Sequence, residues 1–330
     1  MNQVRFLIIG AGGMGRAHIR NLVQVPEAVI VGLVDPSAAA IEAVRQQFPQ
    51  LKEVPSFASL ADALARVQAD AAVIVTPHSQ HFEQGMMCLD AGLHVLMEKP
   101  FVAGSENART IIERARQLGR HLAVAYQRHV QGPYLYLRHL IQSGALGDIQ
   151  FITAYQAQAW QKGTAGTWRQ DPALSCGGQL NDSGSHLLDV VLWMTGAAPK
   201  SVMARIDHRG APVDIDSALT VTLDNGAIAT FNIVGSASIE WWEDVSVHGT
   251  KGTALYRNGR LFVAREGERH PQPVPETEFP PSSDPDRNFV DLILGRVSAP
   301  AAPAECGLAV ARLTEAAWES AETGQVVWLP

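Results

Sequence analysis

Cysteine is scarce in this chain: 330 residues hold three, Cys88, Cys176 and Cys306. They are odd in number and widely spaced, with no CxxC pair and no Cys/His cluster. That argues against a structural zinc site and for a reducing, cytoplasmic setting; no metal is expected. Long apolar runs are missing as well. The hydrophobic stretches are strand-sized, well below the ~20 residues that a membrane helix needs, so no membrane partner is expected. No basic patch or basic tail occurs and the net charge is −7, which removes nucleic acid from the expected partners. The first ten residues run straight into a strand pattern, leaving no room for a signal peptide. Internal repeats and long low-complexity segments are absent too.

What is present is ample core material. Hydrophobic residues make up 46% and charged residues 18%, a soluble globular balance at a length that suggests two domains. Over residues 1–125, apolar runs at 4–9, 28–34, 71–75, 94–97 and 121–125 alternate with amphipathic patterns such as 37–48 and 107–118. This alternation predicts an α/β fold: a parallel sheet covered on both faces, wound into a Rossmann domain. After residue 125 the grammar changes. Residues 133–144 read as a helix, 148–157 as a strand, 161–178 as a loop and 182–195 as a helix. From 201 to 261 the pattern is strand and turn. Residues 271–285 hold six prolines and read as a surface loop. Helices at 286–294 and 304–322 close the chain. Residues 126–330 are therefore expected to form an α+β domain with a large, mostly antiparallel, open-faced sheet.

Gly10-Ala11-Gly12-Gly13-Met14-Gly15 fits G-x-G-x-x-G through Gly10, Gly12 and Gly15. It follows a strand pattern and opens an amphipathic helix, and Asp35 ends the next strand. The first glycine allows the tight turn, the second admits a pyrophosphate, and the third lets helix pack on strand. A carboxylate at Asp35 accepts ribose hydroxyls and repels a 2′-phosphate, and 36–39 supply no arginine, so NAD is expected over NADP. Thr76 and Pro77 follow the next apolar run, with His78 and His81 at a helix start; Thr76 is a candidate cofactor contact, while both histidines read more simply as caps or packed polar residues.

Two further segments carry candidate chemistry. Glu98-Lys99-Pro100 ends an apolar run and offers a lysine where a parallel strand stops. Gly177-Gly178-Gln179-Leu180-Asn181-Asp182-Ser183-Gly184-Ser185-His186 places Asp182 and His186 four residues apart on a predicted helix, so that both can face one point. A cation, an imidazole and a carboxylate are the parts needed to move a proton while a hydride leaves carbon. Asp189 reads equally as structural or as an orienting group. Trp168 and Arg169 read as substrate-pocket lining or as a domain-interface anchor.

Together these motifs, with Tyr126-Gln127-Arg128 and His248-Gly249-Thr250-Lys251-Gly252, resemble the glucose–fructose oxidoreductase / inositol dehydrogenase / MocA (Gfo/Idh/MocA) family over nearly the whole chain. The resemblance implies NAD(P)-dependent oxidation of a hydroxyl on a sugar or cyclic polyol, or the reverse. It implies Lys99, Asp182 and His186 as the catalytic trio. Gly10, Gly12, Gly13, Met14, Gly15, Asp35, Thr76, Pro77, His81, Glu98 and Lys99 would lie at the cofactor. Lys99, Arg128, Trp168, Arg169, Asp182 and His186 would lie at the substrate. It also implies a cis Lys99-Pro100 bond. Cys176, Gln179 and His129 depart from the family's pattern on the substrate side. Two other readings stand beside a net dehydrogenase: a glycoside hydrolase or lyase that uses bound NAD transiently, and a non-catalytic NAD-binding sensor. Finally, 217–223 and 227–239 carry no charge around Asn225-Gly226. A two-residue turn there would set Val221 opposite Thr230 and Thr222 opposite Ala229. Helices can cover one face of such a hairpin, and a homodimer or homotetramer is expected to cover the other.

Overall fold

Five short apolar runs, largely buried, and one two-residue edge strand make one parallel sheet. They are β1 (Val4–Ile9), β2 (Ala28–Val34), β3 (Ser56–Phe57), β4 (Ala71–Ile74), β5 (His94–Met97) and β6 (Leu122–Val124). In the computed structural model, which describes residues 3–329, their order is β3-β2-β1-β4-β5-β6 and every pairing is parallel. This is the doubly wound arrangement, whose ligands bind beyond the carboxyl ends of the strands where the order reverses. The expected α/β class and Rossmann topology are what the chain adopts.

The first compact unit runs up to Gln127 and takes back Ser283–Gly307; the second is Arg128–Ser282 with the chain from Leu308 onward. A single cut after residue 125 misses that return. Its cause is the amphipathic helix Pro285–Ile293. Its Phe289, Val290 and Leu292 are buried in one core with Phe6, Ile8, Ile19 and Leu96.

The second unit is built on a nine-stranded sheet. Its strands are β7 (Ile149–Ala157), β8 (Pro199–Asp207), β9 (Asp216–Leu223), β10 (Ile228–Val234), β11 (Trp242–Gly249), β12 (Gly252–Arg257), β13 (Arg260–Arg265), β14 (Gln272–Pro273) and β15 (Val327–Trp328). The order is β14-β13-β12-β11-β7-β10-β9-β8-β15. All pairs are antiparallel except β7 with β10. The helix Gly184–Thr195 packs on β7 and β10, and at Gly184 a Cβ would lie 2.9 Å from Ile233 Cδ1. Part of the proline-rich stretch pairs as the edge strand β14, so it is not loop throughout.

The β9–β10 register differs from the two-residue turn. Val221 lies opposite Ala229 and Thr222 opposite Ile228. The turn has three residues: Gly226 adopts φ +87°, its N–H donates to Leu223 O, and Leu223 N–H donates to Ala227 O. A type I turn closed by a left-handed glycine has this form. Leu219, Val221, Phe231 and Ile233 are buried, while Thr220, Thr222, Thr230 and Asn232 look outward. On that same outward face, Ile228 is 40% and Phe151 38% exposed.

Candidate functional site

In the first unit, Gly10, Asp35, Thr76 and Glu98 each follow the carboxyl end of a strand: β1, β2, β4 and β5. The glycines divide by what surrounds them. Gly10 has φ +103° and a Cβ there would meet Val75 O at 2.7 Å; at Gly15 a Cβ would lie 2.0 Å from Gly10 O. At Gly12 and Gly13 a Cβ would meet no atom within 4 Å, and Gly12 caps the helix Gly13–Leu22. The turn is thus closed where backbone packs on backbone and open at a helix N-terminus, which fits a pyrophosphate. Met14 is 46% exposed beside it.

Asp35 accepts the Ala11 N–H on Oδ2 and the Ser37 N–H on Oδ1, both at 2.8 Å. Each oxygen keeps lone-pair capacity for a ribose hydroxyl. A cation does reach this loop from elsewhere: Arg16 Nη1 donates to Ala11 O at 3.2 Å. The residues after Asp35 could not reveal it. Thr76 donates its hydroxyl to Gln84 Oε1 at 2.6 Å, and Pro77 caps the short turn His78–Gln80.

His81, expected at the cofactor, has both ring nitrogens facing backbone. It is fully buried, with Nδ1 against Pro100 O (3.0 Å) and Phe101 O (3.1 Å) and Nε2 against Thr76 O (2.9 Å). Burial lowers its pKa against the pull of those carbonyls. Its imidazole thus lies between backbone carbonyls and braces the turn after β5. His78 is buried beside it, ring centroids 5.8 Å apart. Glu98 is buried and likewise turned inward: Oε2 accepts the Lys99 N–H at 2.8 Å and Oε1 lies 3.1 Å from His18 Nε2. Burial raises the Glu98 pKa, but His18 and Lys99 outweigh it and hold the carboxyl below its usual range. Lys99 is half-buried and its bond to Pro100 is cis.

In the second unit, the helix that carries His186 starts at Gly184, two residues later than expected. Asp182 therefore precedes the helix. It is not the cap either, since Ser183 holds that place. Its Oδ2 instead accepts from Trp160 Nε1 at 2.9 Å and from Arg169 Nε at 3.1 Å. Arg169 lies over the Trp168 ring at 4.5 Å. Asp182, Arg169 and Trp168 are thus brought together, around a tryptophan, Trp160, that sequence reasoning passed over. His186 is buried, 7% exposed, in the first turn of its helix.

The glycine pair before Asp182 is held by Asp214, also missed. Its carboxylate accepts Gly178 N–H (2.9 Å), Leu180 N–H (2.7 Å) and Trp318 Nε1–H (3.2 Å). Burial pushes its pKa up and those three donors pull it back. At Gly178 a Cβ would lie 2.0 Å from Asp214 O, so only glycine fits. Gln179 is fully buried; Gln158 Nε2 donates to its Oε1 and to Ser183 Oγ. Cys176 stands at φ +55° with its thiol pKa raised by burial, so it is not an activated nucleophile.

Arg128 differs from an open substrate contact. It is 5% exposed, and its guanidinium is held by both Glu243 oxygens, with Nε 3.0 Å from Oε1. Tyr134 also donates to Glu243. Burial works against the Arg128 charge, and Glu243 outweighs it. Breaking such a buried pair is costly. Asp189 pairs with His129 (Oδ2 to Nε2, 2.9 Å), whose ring stacks on Trp193 at 4.1 Å. That gives Asp189 and His129 a packing role.

Among the described residues, no helix is long and apolar enough to cross a membrane. Two family models match the chain. "Oxidoreductase family, NAD-binding Rossmann fold" covers residues 4–126 and "GFO/IDH/MocA C-terminal domain" covers 134–255. Among curated proteins it is similar to scyllo-inositol 2-dehydrogenase (NADP(+)) IolW of Bacillus subtilis, at 26% identity over 100% of this chain and 97% of that protein. It is also similar to D-glucoside 3-dehydrogenase of Escherichia coli, at 26% identity over 99% and 97%. Among solved structures, the WlbA dehydrogenase of Bordetella pertussis in complex with NADH and UDP-GlcNAcA superposes with a TM-score of 0.84 at 22% identity, covering 100% of this chain and 98% of that one.

Proposed function

Because the chain belongs to the Gfo/Idh/MocA oxidoreductase family, we propose that it transfers a hydride between nicotinamide and a hydroxyl carbon of a sugar or cyclic polyol. The observation that carries the reading is the pairing, within one sheet, of an open pyrophosphate cradle after β1 with a lysine turn after β5. When bound, the nicotinamide dinucleotide supplies the hydride acceptor. Gly10, Gly12, Gly13, Met14 and Gly15 would hold its pyrophosphate, and Asp35 its adenosine ribose. The inositol and glucoside dehydrogenases among its relatives support the substrate class.

The chain's own residues handle the proton. His186 is assigned as the general base that takes the hydroxyl proton, and Lys99 as the donor that hydrogen-bonds the same oxygen while negative charge develops. Asp182, fixed by Trp160 and Arg169, orients the substrate or tunes the imidazole. Arg128 is reassigned from substrate contact to holding Glu243 in place. NAD is favoured over NADP through Asp35. One neighbouring relative is named as NADP-dependent, so this choice is open to direct titration. The outward face of β7 and β10, and of β9 from Ala218 to Thr222, carries no charge and supports a second copy of the chain as its cover. A panel of sugars, inositols and their keto forms, screened with NAD, NADP and their reduced forms by absorbance, tests the reading. Turnover on a polyol or its ketone is expected; cofactor binding with no redox change across the panel would argue for the sensor reading instead.

A further inference from the structure

We propose that His18 is a positioning residue for Lys99: clamped between Asp286 and Glu98, its ring fixes Glu98, and Glu98 fixes the backbone of the lysine turn. This rests on the assignment of Lys99 to the reaction.

The geometry is specific. His18 is 4% exposed on the inward face of the helix Gly13–Leu22, with Gly15, Ile19 and Leu22. Its Nδ1 lies 2.7 Å from Asp286 Oδ1 and its Nε2 3.1 Å from Glu98 Oε1. Asp286 Oδ2 accepts from Asn21 Nδ2 at 2.8 Å, and Glu98 Oε2 accepts from Lys99 N at 2.8 Å. All four carboxylate oxygens thus face a nitrogen donor, and neither His18 nitrogen faces a group that could give it a proton. A ring with an ionised carboxylate on each nitrogen satisfies both only as imidazolium. Burial alone would lower the His18 pKa; Asp286 and Glu98 outweigh it and raise it to about 10. The cation is therefore present throughout the neutral range.

The elements joined give this cluster a function. One ring ties the helix that begins at the cofactor cradle to the turn that carries Lys99, and braces both against the helix Pro285–Ile293. Without the imidazolium, two buried carboxylates would be left without their shared cation. Glu98 would then take a proton or turn away, and either change weakens its hold on the Lys99 N–H. A reacting group displaced by about 1 Å can lose on the order of 10² in rate. His81 holds the following residues from the other side, through Pro100 O and Phe101 O.

The test uses the full chain with His18→Gln, Asp286→Asn and Lys99→Ala. Two readouts need no substrate: hydrogen–deuterium exchange of the Lys99 amide, and NADH affinity by fluorescence titration. The third is kcat and KM on whichever polyol of the panel turns over fastest. His18→Gln should speed exchange at Lys99 by at least about tenfold. It should lower kcat by about 10²-fold and leave the NADH dissociation constant within about threefold. Asp286→Asn, which leaves Glu98 and Lys99 intact, should move exchange and kcat in the same direction by less, and it serves if His18→Gln does not fold. In the Lys99→Ala background, adding His18→Gln should cost no further turnover. Unchanged exchange at Lys99 in both variants overturns the proposal. So does a loss of NADH affinity that matches the loss of kcat, since His18 would then act through the cradle. Normal turnover in Lys99→Ala would instead overturn the functional reading, while the exchange result still decides whether His18 holds the turn.

Discussion

His186 stands third in its helix and Lys99 second after its strand, so short backbone geometry fixes where both side chains start. General-base help is worth about 10²–10⁴-fold. His186→Ala should therefore lower kcat by that much and leave NAD affinity nearly unchanged. Lys99→Ala should cost at least as much, and the double variant little more than the worse single one, since the proposed roles put both groups on one oxygen. Near-normal turnover in His186→Ala would move the base role to Lys99. Asp35 makes a separate prediction. NAD should bind about tenfold or more tighter than NADP, or ~1.4 kcal/mol, and Asp35→Ser should narrow the gap, since Arg16 already reaches the loop. Parallel titrations of the two cofactors decide it; equal affinities in the wild type would refute the role given to Asp35.

The loop ahead of Asp182 is held less by its own sequence than by Asp214 from another segment. Asp214→Ala would strand the Gly178 and Leu180 N–H groups in a buried place. Hydrogen bonds to a charged group are worth about 1.5–3 kcal/mol each, so urea unfolding should show a loss of about 3–6 kcal/mol, with kcat falling as the loop loosens. Wild-type stability in this variant would mean that the loop holds itself. Such long-range holding marks the limit of what the sequence could tell. Five strands of the first sheet were legible because each is a continuous apolar run, as in Val4–Ile9 and His94–Met97; the sixth, Ser56–Phe57, is too short and too polar to leave such a signal. The glycine cradle was legible because steric need writes glycine into fixed spacing. His18 had a signal that went unused: a histidine on the apolar stripe of a helix demands a partner. Glu243, Trp160 and Asp214 carried no local signal, because their partners lie far off in the chain. The β9–β10 register slipped by one residue because Asn-Gly closes three-residue turns as well as two-residue ones.

At the scale of the molecule, the outward face of the large sheet predicts assembly. Light scattering or native mass measurement at micromolar concentration should give a dimer or tetramer, and substituting Thr220 and Thr230 with lysine should shift it toward monomer. A wild type that is monomeric throughout would remove the second copy as the cover. Stability should also carry a mark of His18. Its folded pKa of about 10 lies above its ordinary 6.5, so the folded chain holds this proton more tightly. The stabilisation is complete below about pH 6.5 and is lost as pH rises toward 10. Urea midpoints should thus fall more steeply between pH 7 and 10 in the wild type than in His18→Gln; parallel slopes would count against the imidazolium. The return of Ser283–Gly307 to the first unit has a consequence for synthesis. The cradle, the lysine turn and most of their core leave the ribosome first, yet Phe289 and the Asp286 that clamps His18 come more than half a chain later. At about 5–20 residues per second, the nascent nucleotide-binding half waits roughly ten to thirty seconds for its last helix. Through that interval its apolar seam stays uncovered, and the lysine turn acquires its clamp only once Asp286 has been made.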